Sequence, residues 1–420
     1  MASQENVPGS PKSPRSRHPR PSLTGLFEGL NIEPSSTSPT VGRNRDRPQT
    51  QGSEASGHSS LRGSLSQRWP PSFSGSDVSI DAPGDQEHRN LSPSVTLRMS
   101  DLYRQHGDNW ARDSSVEDLP VDKTDDFQLV SNMMDEIHHY VVTLEENKDK
   151  LASIMMEEMA KVVHGSNEKS RKGLGLDETM EYCRMVFEGV TGLEYSERTP
   201  EYQAKLEKLV LKDMEFAPNH IVRSMREVVQ HAAAFYHIVT SFVTNDMMIS
   251  EELIKETHQI LVNGIGSGSA GFLSNKEHGG SYRTEDVFVG AMALPKANTI
   301  PAAMRSMVRK LEKDLDAAVK LGRLDPFALA AEYCDRFVNI HPFRDGNGRM
   351  CRLVLNAILI KYAGIVANVG EHDQSRDEYL DIARESTEVG GHAGALGSLV
   401  LTEAKNTLRR MKAKLMPKKS

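Results

Sequence analysis

The run His341-Pro342-Phe343-Arg344-Asp345-Gly346-Asn347-Gly348-Arg349, followed by Arg352, gathers several kinds of chemical group in one place. His341 is the group in it that can take up a proton near neutral pH, as a general base must. Pro342 disfavours helical angles at His341, so the helix leading into the run should stop there. Gly346 and Gly348 permit backbone angles that side chains forbid. A turn of this kind can aim successive N–H groups at one point. The helix that follows adds its unpaired N–H groups and the positive end of its dipole, which together suit a phosphate. Arg349 and Arg352 are three apart and share a helix face; their forked guanidiniums match phosphate oxygens. Asp345 is a carboxylate beside that anion site, and its natural partner is Mg²⁺. Taken singly, each feature has an ordinary explanation. A histidine at a helix end is usually structural, an aspartate before Gly-Asn-Gly can cap a helix, and arginine pairs form surface salt bridges. Taken together, a base, a metal carboxylate, an anion cradle and two phosphate clamps point to phosphoryl or nucleotidyl transfer.

The elements around the run are helical in pattern. Phe337 to Ile340 ends one buried helix, and Met350 to Ile360 opens another that is almost wholly apolar. Helical periodicity predicts further helices from Asp126 onward and over 151–163, 177–190, 221–243, 251–261, 302–321, 326–339, 348–363, 376–386 and 394–416. The apolar face of the first runs Val130, Met133, Ile137, Tyr140, Val141, Leu144; Asp177 and Ser250 read as N-caps of their helices. The Gly- and Ser-rich stretch 264–280 reads as a loop, and Tyr282 to Val289 as a short strand or hairpin arm closed by Gly290. The fold class is mostly α with one small β element.

Of the 20 prolines, 13 lie in the first 120 residues, among Ser, Gly and Arg. Such a segment buries too little apolar surface to offset its chain entropy, so 1–125 reads as a long disordered N-terminal tail. Two short apolar clusters, Leu23 to Leu30 and Leu97 to Tyr103, stand out in it as docking peptides or chance groupings. A net charge of -7 argues against bulk attraction to nucleic acid. No run of about 18 apolar residues is present, so no membrane span is expected, and the N-terminus does not have the pattern of a secretory signal. Cys183, Cys334 and Cys351 cannot build a disulfide framework and lack zinc-site spacing. They suit a reducing compartment, cytoplasmic or nuclear.

At residues 341–352 the sequence resembles the Fic (Fido-domain) family, whose signature His-x-Phe-x-Asp/Glu-Gly-Asn-Gly-Arg-x-x-Arg is met at every fixed position. The likeness extends more loosely from about Glu181 to Gly391. It implies a Fic-type helical bundle with a β-hairpin flap at 280–290, where a protein substrate docks by strand addition. The corresponding organisation is a tail at 1–125, a helical region at 126–245, a Fido catalytic core at 246–392, and a C-terminal helix with a basic tail at 393–420. The resemblance implies transfer of AMP from ATP to a hydroxyl of another protein. His341 deprotonates that hydroxyl, and Asp345 holds Mg²⁺. Gly346, Asn347 and Gly348 form the anion hole, and Arg349 and Arg352 hold the β and γ phosphates. Asn356, one turn on, faces the same region, and Tyr379 matches a tyrosine at the adenine end, although Ser386 stands where an asparagine is usual. Glu188-Gly189, ahead of the core in the 177–190 helix, matches an inhibitory glutamate that pairs with Arg352; Arg184 replaces the usual Ser or Thr. Removal of AMP, transfer of UMP or phosphate, and a nucleotide-binding scaffold without turnover are the alternatives. The target protein is not written in the sequence, and neither is the oligomeric state, for which a homodimer is one reading.

Overall fold

In a computed structural model, the described residues are 123–167, 174–190, 218–265, 278–289, 292–369 and 393–416. Residues 61, 62, 65, 96–100, 102, 203, 207, 378, 379, 381–383, 385 and 386 are also described. The helices are α1 (Thr124–Val142), α2 (Glu145–Ser166), α3 (Leu176–Phe187), α4 (Pro218–Val239), α5 (Glu251–Val262), α6 (Ile300–Leu321), α7 (Pro326–Ile340), α8 (Asn347–Ala363) and α9 (Gly394–Leu415). Among the described residues the only strands are two-residue pieces: β1 (Thr96–Leu97), β2 (Phe288–Val289), β3 (Met292–Ala293) and β4 (Arg323–Leu324). The mostly α expectation therefore holds.

The centre of the fold is the α7–α8 pair. Asp325 caps α7 by accepting from the N–H groups of Phe327 and Ala328, and Pro326 occupies the first turn, where a missing N–H costs nothing. Leu353 to Ile360 of α8 are buried on every side, as befits a helix apolar all round. Gly364, at φ 62°, ends it. α9 packs on α7 and α4 on α8, α1 lies against α9 and α2, and α2 and α3 lean on α4. The aromatic edge contact Phe127–Phe327, at 5.9 Å, ties α1 to α7. On α1 the expected face is buried at Val130, Met133, Ile137 and Val141, but Leu144 is 61% exposed, because it stands between helices as the N-cap of α2.

Two differences from the sequence reading have local causes. The hairpin is formed by Phe288–Val289 paired antiparallel with Met292–Ala293, not by 282–289. The segment Tyr282 to Val287 instead carries an arginine anchor described below. Within 1–125, Thr96 and Leu97 pair in parallel with Arg323 and Leu324, and the Ser100 N–H donates to Asp325 Oδ2. Leu97 and Leu102 lie against the core, and Leu61 and Leu65 are part of it. Most of the tail, the Leu23–Leu30 cluster and most of the 264–280 loop lie outside the described residues. Among the described residues, no helix is long and apolar enough to cross a membrane.

Candidate active site

α7 ends at Ile340 and His341 takes the left-handed conformation, φ 50° and ψ 59°. That is uncommon for a side chain larger than glycine. It is held by a hydrogen bond from the His341 N–H to Phe337 O and by Pro342 after it. The imidazole Nδ1 lies 3.3 Å from Val338 O. A carbonyl can only accept, so Nδ1 carries the proton and Nε2 is left with its lone pair. Burial lowers the pKa of His341 below its ordinary value; the Val338 carbonyl opposes this, and the Arg283 guanidinium adds to it. The imidazole is therefore neutral at pH 7, ready to accept a proton.

The turn after His341 is fixed from three sides. Asn347, 2% exposed, brackets it: its Oδ1 accepts from the Phe343 N–H at 2.9 Å and its Nδ2 donates to Phe343 O at 2.7 Å. Its amide is thus structural, and only its backbone N–H can serve an anion hole. Gly346 has φ +79°, which strains any side chain, and a Cβ there would also press on Val262 Cγ1 at 3.3 Å, so glycine is favoured. Gly348 is different. Its φ is not positive, and a Cβ there would meet the Arg352 guanidinium only at an ordinary contact distance of 3.6 Å, so neither backbone angle nor crowding within the chain demands glycine at this position. The first backbone bond of α8 runs from the Met350 N–H to Gly346 O. The N–H groups of Asn347, Gly348 and Arg349 therefore leave the helix end unused by it. Asp345 accepts from the Gly346 N–H through Oδ1, and its Oδ2 stands 3.7 Å from Arg349 Nη2; its side chain is 53% exposed.

Two residues that the sequence reading passed over hold this turn in place. His258, on the buried face of α5, stacks on Phe343 with ring centres 3.6 Å apart and planes 2° from parallel. Its Nδ1 accepts from the Gly280 N–H, so its Nε2 donates to Asp345 O at 3.0 Å. Arg283, 4% exposed, donates through Nε to His341 O at 2.8 Å, through Nη1 to Glu285 O and through Nη2 to Pro295 O. Its N–H bonds Pro342 O, so the flap segment and the turn after His341 are stitched together. A lone histidine among Ile254 and Leu261 reads as an ordinary core residue, and nothing in the spacing marked it. Arg283 is one charge in a polar strand pattern, equally unmarked.

His258 makes the site sensitive to acid. Burial foremost pushes its pKa down to about 4 from 6.5, against the pull of its bond to Asp345 O. The unfolded chain binds this proton first, so the stability present above pH 6.5 is lost as pH falls towards 4. The expected slope from this group is roughly 1.4 kcal/mol per pH unit in that window. Urea midpoints at pH 7 and pH 5 should separate less in His258→Gln than in the wild type; an equal separation would remove His258 from the account.

Arg349 and Arg352 both line a cleft of about 260 Å³ that His341, Asp345, Gly346 and Gly348 also face. Arg352 donates from Nε to Ser166 Oγ at 2.8 Å and from Nη2 to Ser166 O at 3.3 Å, at the end of α2. Three expected contacts are not formed. Asn356 is fully buried. It donates to Arg352 O and Ala367 O, and it accepts from the Ala367 N–H, so its amide is taken up by backbone and does not reach the cleft. Asn356→Ala should therefore destabilise the fold by about 1–3 kcal/mol and leave nucleotide affinity unchanged; weakened binding at equal stability would contradict this. Tyr379 is buried behind Arg352, its ring 5.6 Å from the guanidinium carbon and its hydroxyl 3.3 Å from Cys351 Sγ. It supports that arginine rather than lining the cleft. Glu188 is the exposed residue after the end of α3, and no hydrogen bond or ion pair joins it to Arg352, whose guanidinium bonds Ser166 instead.

The family profile Fic/DOC matches residues 248–359, which span the flap, α7, the turn and most of α8. A Fido domain-containing protein of Dictyostelium discoideum is 39% identical over 118 residues, 26% of this chain and 80% of that protein. The chain belongs to the Fic/Fido family. It is also similar to the protein adenylyltransferase Fic of Culex quinquefasciatus, 26% identical over 161 residues. A probable protein adenylyltransferase of Aquifex aeolicus is 29% identical over 170 residues. The matches cover 38% and 40% of this chain, but only 29% and 44% of those proteins' lengths. A solved Fic-1 structure from C. elegans aligns over 69% of this chain and 72% of that one, at 20% identity and a TM-score of 0.46.

Proposed function

We propose that this protein transfers AMP from Mg²⁺-ATP to a hydroxyl side chain of a target protein. The observation that carries the reading is the state of His341. Its Nδ1 proton is held by Val338 O, and its Nε2 lone pair belongs to a neutral imidazole beside the open end of α8 and two arginines. A target hydroxyl gives its proton to Nε2 as its oxygen attacks the α-phosphate, and pyrophosphate leaves. The N–H groups at the start of α8 receive the phosphate oxygens, and Arg349 and Arg352 balance the charge of the leaving group. Mg²⁺ would be held by Asp345. A half-exposed carboxylate at the edge of the cleft suits an ion that takes its other ligands from phosphates and water. That ion supplies charge neutralisation to the polyphosphate. The relatives named as adenylyltransferases support the choice of AMP.

The acceptor protein is read as docking at the flap, where Phe288 is 68% exposed beside the β2–β3 pair. Regulation through Glu188 has no geometric support, so Glu188→Gly is expected to leave ATP affinity unchanged. Tighter ATP binding in that variant would restore the inhibitory reading. Purified chain incubated with ATP, Mg²⁺ and acceptor proteins should yield peptides heavier by AMP on a hydroxyl residue. Adducts of UMP or phosphate, or net removal of AMP, would assign the same site a different reaction.

A further inference from the structure

Part of the cleft lining comes from outside the residues matched by the family profile. It is made by Ser166 and Asn167 at the end of α2 and by Arg223 and Glu227 on α4. Arg223 and Glu227 are four apart on one face of that helix, and Arg223 Nε donates to Glu227 Oε1 at 2.9 Å. A pair of this spacing on an open surface is worth little. Here the carboxylate side chain is only 8% exposed and the pair faces a cleft that already holds Arg344, Arg349 and Arg352. The wall is stiffened from behind: His231 Nδ1 lies 2.9 Å from Asn167 Oδ1, and Asn167 Nδ2 reaches Glu227 O at 3.5 Å.

Only Nε of Arg223 is committed; among the described residues no hydrogen bond takes its two terminal nitrogens. An arginine fixed at one nitrogen by a buried carboxylate presents the other edge of its fork in a set direction. Ser166, which lines the same cleft, holds Arg352, and Arg352 lies nearly one turn further along α8 than Arg349. With Arg349 and Arg352 read as the clamps of the β and γ phosphates, Arg223 lines the same cleft with one edge of its fork uncommitted.

We propose that Arg223, oriented by Glu227, is a third phosphate-binding arginine and selects nucleoside triphosphates over diphosphates by contacting the terminal phosphate. This rests on the reading of the cleft as a nucleotide site. A forked, charge-assisted contact to one phosphate predicts a loss of about 10–100-fold in ATP affinity on Arg223→Ala, with ADP affinity unchanged. Arg223→Lys keeps the charge but not the fork, and should lose part of the ATP affinity and none of the ADP affinity. The measurement is calorimetric titration of the full chain with ATP and with ADP, each with Mg²⁺, in wild type and both variants, with melting curves to show equal folding. Equal losses for ATP and ADP in the lysine variant, or no loss in either variant, overturn the assignment while leaving the nucleotide site standing. A wild-type chain that binds neither nucleotide overturns the site itself, and this assignment with it.

Discussion

His341→Ala should lower AMP transfer by about 10²–10⁴-fold while leaving ATP affinity close to wild type. On the proposed reading the side chain removed is the proton acceptor, whereas the groups assigned to the phosphates sit on the next helix and keep their places. The pH profile carries a second expectation. On the proposed reading the neutral imidazole is the active form, and burial holds its pKa below the ordinary histidine value, so transfer should be flat near pH 7 and fall only on further acidification. Rates measured across pH 5 to 8 would show it. A rate that rises on acidification, or a His341→Ala enzyme as active as wild type, would mean that another group takes the proton.

Asn347→Ala should be the most damaging change in the turn that makes no contact with substrate. Two buried backbone groups of Phe343 lose their partner at once, and each unsatisfied group costs about 1–3 kcal/mol. The loop that sets His341, Asp345 and the open N–H groups would then relax. Loss of about 2–4 kcal/mol in urea unfolding is expected, together with a fall in transfer rate at saturating ATP. Unchanged stability would show that the amide does not hold the loop.

The site was legible where its residues are contiguous. His341 to Arg352 lie on one turn and one helix start, so their types and spacing already placed a base, a carboxylate and two guanidiniums together. Pro342 marked the end of α7, Ser250 the start of α5, and the apolar run after Met350 the buried helix. What escaped was set by contacts distant in sequence. Periodicity put Asn356 on the same face as Arg352, but not the passage of Ala367 beside it, which takes the amide. It put Glu188 at the end of a helix ahead of the core; it could not say that Ser166, 186 residues from Arg352, reaches the guanidinium instead. His258 and Arg283 act through the backbone of the turn, and such partners leave no pattern in their own segments. The pairing of Thr96 and Leu97 with Arg323 and Leu324 joins a polar tail to the body through backbone atoms, which carry no sequence signal.

In the proposed reaction the bond broken lies between the α and β phosphates. Parallel reactions of the wild-type chain with acceptor proteins, one with ATP labelled at the α-phosphate and one with ATP labelled at the γ-phosphate, test it most directly. The account expects protein-bound label from the α-labelled nucleotide alone, with the γ label released as pyrophosphate and with both signals lost in His341→Ala. Protein-bound label from the γ position would contradict it.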